Sequence, residues 1–150
     1  VNQDGLQIHQ GLELTLAGKL TDRLSISAGG TVMDLGIDKA TNPALKGKKP
    51  IGSSPVLAKM SLQYSVPGFE GLALSGGAYH SGKKYKDSAN LQKIDGYTIF
   101  DLGVSYRTKV AGTPTAFNLY VSNVTNEDYW SSYWQLGLPR SVAFSVKSEF

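Results

Sequence analysis

Tyr129, Trp130, Tyr133 and Trp134 form the densest group of side chains in this chain with an evident capacity to hold a ligand. Rings bring large apolar area and a polarised π face, so a cluster of them packs well on a bulky partner. The same rings placed at a membrane surface form an interfacial belt instead. Both readings are open from sequence, and Tyr79 and Tyr85 share the ambiguity. Two lysine groups add charge: Lys46, Lys48 and Lys49, then Lys83, Lys84 and Lys86. They are either a solvated surface or contacts for an anionic partner.

Other chemistry is poorly represented. His9 and His80 lie far apart, and no Ser, His and Asp fall in an arrangement suited to nucleophilic catalysis. Cysteine is absent, which rules out disulfides and thiolate metal sites, and Asp, Glu and His never cluster at ligand spacing. No catalytic residue, metal site or resident cofactor is therefore expected. Glu13 is expected to pair with Lys59 or Arg107, as part of a structural network or of a path for solutes. The net charge of +3 carries no basic stripe, so a nucleic-acid partner is not expected.

The elements that must position these residues are strands. Apolar and polar residues alternate along most of the chain, which is the period of a strand with two different faces. Seven segments carry the pattern: residues 6–20, 23–34, 55–66, 72–81, 97–107, 115–123 and 139–150. In the third, Val56, Ala58, Met60, Leu62, Tyr64 and Val66 oppose Lys59, Ser61, Gln63 and Ser65. In the last, Val142, Phe144, Val146, Ser148 and Phe150 oppose Ser141, Ala143, Ser145, Lys147 and Glu149. No apolar run reaches the roughly 20 residues that a membrane-crossing helix needs.

Two further features narrow the fold. The segments run to nine or more residues, whereas strands of soluble domains commonly have about five or six. The connections alternate between short and long, the long ones being 35–54, 82–96 and 124–138. Alternate connections of an antiparallel sheet lie at the same end, so the long loops share one end and the short turns the other. Bacterial transmembrane barrels have this asymmetry, with long extracellular loops, short periplasmic turns, a lipid-facing apolar surface and a polar lumen. The expected fold is thus all-β, part of an antiparallel transmembrane β-barrel. Alternatives are a soluble seven-stranded carbohydrate-binding sandwich and a small barrel serving as an adhesin or lipid-modifying enzyme.

The carboxy-terminal third also resembles a known family. Phe117-Asn118-Leu119-Tyr120-Val121-Ser122-Asn123-Val124-Thr125-Asn126-Glu127-Asp128-Tyr129 is similar to the strand and loop that precede the last strand of TonB-dependent outer-membrane receptors for ferric siderophores. Leu136-Gly137-Leu138-Pro139-Arg140-Ser141-Val142 resembles the Gly-x-Pro-Arg-x-Val of the same family. Upstream, Gly11-Leu12-Glu13-Leu14 and residues 76–85, Gly-Gly-Ala-Tyr-His-Ser-Gly-Lys-Lys-Tyr, resemble earlier barrel segments. Val124 and Thr125 depart from the family pattern, where Leu and an aromatic are usual.

The resemblance implies a barrel of about 22 strands around an amino-terminal plug. Seven strands do not close, because single-chain bacterial barrels have an even number and an open edge in lipid leaves backbone groups unpaired. Residues 1–150 are therefore expected to be the carboxy-terminal part of such a barrel, without the plug and its energy-coupling box. No leader sequence is readable at the start. The implied role is binding and import of ferric siderophores across the bacterial outer membrane, driven through an inner-membrane energy-coupling protein that touches the plug. The fragment alone is not expected to transport. Tyr85, Tyr129, Trp130, Tyr133 and Trp134 become candidate siderophore contacts, the loop lysines candidates for an anionic ferric complex or lipopolysaccharide phosphates, and Phe150 a signal for the barrel-insertion machinery.

Overall fold

The structure is a computed structural model describing residues 5–149. Its strands are β1 (Leu6–Lys19), β2 (Leu24–Lys39), β3 (Val56–Ser65), β4 (Leu72–Ser81), β5 (Lys84–Tyr85), β6 (Lys93–Ile94), β7 (Tyr97–Val110), β8 (Thr113–Ser122) and β9 (Ser141–Ser148). Seven of them form one antiparallel sheet in the order β1-β2-β3-β4-β7-β8-β9, and β5 and β6 make a separate small hairpin. A 3-10 turn, Pro43–Leu45, is capped by the Asn42 side chain. Among the described residues, no helix is long and apolar enough to cross a membrane.

Short turns hold one end of the sheet. The Thr21 hydroxyl accepts the N–H of Arg23 at 3.2 Å and of Leu24 at 3.1 Å, fixing the β1–β2 reversal. Ala111 and Gly112 both have positive φ, 51° and 84°. That is the two-residue hairpin turn whose twist matches that of its strands. The β7–β8 connection is accordingly tighter than the loop over 108–114 expected from sequence. At the opposite end, β2 runs to Lys39 because its upper half pairs with β1, Lys39 standing opposite Leu6. The expected strand end at residue 34 is thus too early. β9 is shorter than expected, starting at Ser141 and ending at Ser148. Phe150, the expected assembly signal, falls outside the described residues.

The register sorts the side chains into two faces. One row runs Leu24, Tyr64, Leu74, Val104, Leu119, Phe144 across six strands. Its neighbour on the other face runs Ser25, Gln63, Ser75, Gly103, Tyr120, Ala143. By the same pairing, Val56, Met60, Leu62, Phe117, Leu119, Val121, Phe144 and Val146 share the apolar face, and Lys59, Gln63, Asn118 and Ser145 the polar one. Tyr64, Tyr106 and Phe117 lie on the apolar face near the short-turn end, the position of an interfacial girdle.

A soluble sandwich would bury one face of this sheet. Instead, the buried apolar residues are only Leu35, Ile94 and Tyr97 among those described, while Leu12 is 82% exposed and Phe144 66%. A row of large aliphatic and aromatic side chains left bare on one face needs lipid to cover it. Ten-residue strands rise about 33 Å, enough for the roughly 25 Å apolar band of an outer-membrane barrel even when tilted. The sheet is open at β1 and β9. The expected pairing of Glu13 does not form: Glu13 stands opposite Thr31, and neither Lys59 nor Arg107 makes an ion pair with it.

Candidate functional site

The three long loops follow β2, β4 and β8 and converge at one end of the sheet. They are tied to each other by polar contacts. Lys49 donates its backbone N–H to Asn90 Oδ1 at 2.6 Å, and Asn90 Nδ2 donates back to the Lys49 carbonyl at 2.9 Å. Gly52 donates to the Tyr85 carbonyl at 2.9 Å. These bonds join the first loop to the second. Lys84 Nζ donates to the Ser131 carbonyl at 2.6 Å, joining the second to the third. The ring of Tyr133 lies against Gly52, where an added Cβ would sit 3.4 Å from it, joining the third to the first.

Each loop is also ordered from within. The Asp87 carboxylate accepts the N–H groups of Leu91 at 3.1 Å and Gln92 at 2.6 Å. Those two donors hold its carboxyl below the ordinary 3.8. They also set the reversal between β5 and β6, a hairpin invisible in the sequence because it is two residues wide. In the third loop, Asn123 is 2% exposed and has φ 49°. Its side chain donates to the carbonyls of Glu127 and Leu138, and accepts the N–H of Glu127. Gly137 donates to the Tyr129 carbonyl at 2.7 Å, and Trp130 bridges to Leu136.

Aromatic rings fill the junction. Tyr97, at the foot of β7, is 8% exposed. Its ring centroid lies 4.1 Å from that of Tyr129 and 6.0 Å from that of Tyr79. Beside it opens a cavity of about 570 Å³ whose lining includes Lys86, Ile94, Tyr97, Tyr129, Trp130 and Tyr133. Lys86 Nζ stands 5.9 Å from the Trp130 ring and Lys84 Nζ 5.5 Å from the Tyr97 ring, both within cation–π range. Tyr97 belongs to the polar face, opposite Ser81. The opening thus sits at the long-loop end of the polar face. A second, shallower trough of about 370 Å³, bounded by Leu14, Ala28, Ala58, Met60 and His80, borders the lipid side. There His80 Nδ1 and the Thr98 hydroxyl lie 2.9 Å apart, an internally satisfied polar pair.

Of the aromatic residues singled out from sequence, Tyr129, Trp130 and Tyr133 line the large cavity together. Tyr85 lines an adjoining one with Lys49, Lys83, Lys84 and Lys93. Trp134 stands apart, 68% exposed. Sequence reading passed over Tyr97 and Lys93 as site residues. Tyr97 shares strand parity with Asp101 and Ser105, a hint that it faces the lumen. Lys93 has no comparable signal, since its position depends on the β5–β6 hairpin.

The comparisons with known proteins agree with this geometry. Residues 1–126 match the family model described as TonB dependent receptor-like, beta-barrel. The chain is 32% identical over 152 residues to the ferrichrome receptor FcuA of Yersinia enterocolitica, covering 97% of this chain and 20% of that protein. It is 31% identical to the ferrioxamine receptor of the same organism, covering 94% of this chain and 21% of that one. Among solved structures, BauA, the ferric preacinetobactin receptor of Acinetobacter baumannii, superposes with a TM-score of 0.90 at 28% identity, over 98% of this chain and 23% of that one. The chain therefore spans about a fifth of the length of the two Yersinia receptors.

Proposed function

This chain belongs to the TonB-dependent receptor β-barrel family of the bacterial outer membrane, and from that premise we propose that it forms the carboxy-terminal wall of a receptor that binds and imports ferric siderophores. The observation that carries the reading is the cavity where Tyr97, Tyr129, Trp130 and Tyr133 meet Lys86 at the long-loop end of the polar face. Rings supply apolar and π contact to a bulky ferric complex, and the three tied loops hold them in place. The names of the two Yersinia relatives and of BauA support the same ligand class.

In this proposal the ferric complex is cargo, and the protein carries no resident cofactor and performs no catalysis. The plug, and through it the inner-membrane energy-coupling protein, belongs to parts of the receptor outside this chain. Exposed Lys46 meets lipopolysaccharide phosphates, and the barrel-insertion machinery assembles the wall. Tyr85 contributes at the rim, and Trp134, turned to solvent, adds at most a weak contact there.

The test uses the complete receptor that contains this chain, purified in detergent, with ferrichrome and ferrioxamine as probes. Saturable quenching of tryptophan fluorescence by either probe, and iron-limited growth that depends on the receptor, are expected. A properly inserted receptor that binds neither of these probes, nor ferric citrate, nor a ferric tris-catecholate complex, would overturn the reading. The isolated 150-residue chain is expected to bind weakly or not at all, because its sheet is open on two edges.

A further inference from the structure

Lys84 is the one lysine of the loops that is buried, at 5% exposure. An ammonium has three donors. Here one goes to the Ser131 carbonyl at 2.6 Å, and the Tyr97 ring lies 5.5 Å away. No carboxylate lies within ion-pair distance of it among the described residues. Burial without a counter-ion is costly and pulls the lysine below its ordinary pKa. A compensating negative charge is therefore favoured at this point.

The surroundings have room for one. Two cavities share Lys84 as a wall. One, of about 300 Å³, is also lined by His9, Tyr79, Ser81, Tyr97 and Ser131. The other, of about 250 Å³, is lined by Lys49, Lys83 and Lys93 besides Tyr85. No Asp or Glu lines either cavity. The large aromatic cavity, by contrast, carries Asp95, Glu127 and Asp128 on its lining. Lys49 is paired with Asp34 at 2.9 Å and Lys83 lies 4.0 Å from Asp95, so among the described residues Lys84 and Lys93 are the lysines of these two cavities without a carboxylate partner. His9, Tyr79, Ser81 and Tyr97 all lie on the polar face. An anion reaching Lys84 comes from the lumen side, which separates it from lipid headgroups on the apolar face.

We propose that Lys84 and its two cavities form a subsite for an anionic oxygen group, a carboxylate or a catecholate, on the ferric complex. The inference rests on the receptor reading above and narrows it by ligand charge. Three hydroxamates neutralise ferric iron, leaving nothing for Lys84 to read. A complex built on carboxylates or catecholates keeps a net negative charge and puts oxygen at its surface. Such an oxygen would accept the free N–H groups of Lys84 and the hydroxyls of Ser81 and Tyr79, with Lys93 adding long-range attraction.

The experiment measures dissociation constants for the complete receptor by tryptophan quenching with three probes: ferric citrate, a ferric tris-catecholate complex and ferrichrome, the last being neutral. At least one anionic probe is expected to bind. Lys84→Met should weaken it by about tenfold to a hundredfold, as loss of a charge-assisted bond does, while Lys84→Arg restores most of the loss. Ferrichrome, if bound, should change by less than about threefold in either variant. Lys93→Met, at an exposed position, tests the same charge without disturbing a buried group, and should weaken the anionic probe alone. Equal loss for charged and neutral probes would reduce Lys84 to a tie between loops and overturn the subsite. So would an unchanged affinity for the anionic probe in both Met variants. Binding of ferrichrome alone overturns the subsite and leaves the receptor reading standing, whereas no binding of any ferric probe overturns both.

Discussion

Asp101 and Asn123 join the strand wall to the third loop. Asp101 Oδ1 accepts the backbone N–H of Asn123 at 2.9 Å, and Oδ2 accepts the Tyr120 hydroxyl at 2.7 Å. Asn123 then turns the chain through its positive φ and spends its side chain on Glu127 and Leu138. One carboxylate on β7 and one amide at the end of β8 thereby fix both ends of the loop that carries Tyr129, Trp130 and Tyr133.

Removing that amide should loosen the loop and spare the wall. Asn123→Ala loses three side-chain bonds at a buried position and places a Cβ residue without local hydrogen bonding in the left-handed region. We expect the third loop of the complete receptor to be cleaved by protease several-fold faster, with the heat-modifiable mobility of the folded barrel retained. Equal protease resistance in wild type and variant would show that the loop is held by other contacts.

The two tryptophans should separate. Trp130 lines the cavity beside Lys86, and Trp134 is turned to solvent. A stacking contact contributes about 0.5–1.5 kcal/mol beyond area, or roughly twofold to twelvefold in affinity. Trp130→Ala should weaken ferric-siderophore binding by that factor or more. Trp134→Ala should stay within about twofold. The reverse order in titrations of inserted receptor would place the ligand outside the large cavity.

Gly137 sets the position of Tyr129 from below. A Cβ added there would run into the Tyr129 ring, far inside contact distance. Gly137→Ala must therefore push the ring off its place beside Tyr97. The expected result is weakened ligand binding with normal insertion, matching the effect of Tyr129→Ala. A wild-type dissociation constant for Gly137→Ala would mean that the ring can shift without consequence.

The two faces of β8 offer a direct test of which solvent each meets. Leu119 lies on the apolar face between Val104 and Phe144, and Asn118 on the polar face beside Ser145. A lysine facing lipid costs about 2–4 kcal/mol near the bilayer midplane and far less toward the interface. Leu119→Lys should reduce the amount of folded receptor in the outer membrane, and Asn118→Lys should leave it near normal. Matching levels for both, measured by quantitative blot of outer-membrane fractions, would contradict the assignment of faces.

The second loop should open in acid. The N–H groups of Gln92 and Leu91 hold Asp87 below the ordinary carboxyl value of 3.8. A carboxyl depressed in the fold contributes stability that is present above the unfolded value and is lost as pH falls through the folded one. Protection of the Gln92 amide against hydrogen exchange, corrected for the intrinsic rate, should therefore hold above about pH 4 and decline below it. In Asp87→Asn the protection should be lower and flat over the same range. Undiminished protection of the wild-type amide down to about pH 2 would sever the link to Asp87.

Much of this architecture is written locally in the chain. Side chains of a strand alternate with a period of two whatever the strand pairs with, so Val56 to Val66 and Val142 to Val146 declare their faces one residue at a time. The alternation of short and long connections then places the loops at one end, and the sequence resemblance supplies the family. Strand limits are less local. The upper part of β2, including buried Leu35, is a strand because β1 stands beside it, and nothing between residues 35 and 39 announces that neighbour. The site is the least legible part. Tyr97 meets Tyr129, and Lys84 is buried against Ser131, through contacts between loops distant in sequence. Such loops have no periodicity, and their shape is set by a few long-range hydrogen bonds. The aromatic and basic residues available to a ligand could thus be read from the sequence, whereas their division into a ring-lined cavity and a lysine-lined one was decided by the tertiary structure alone.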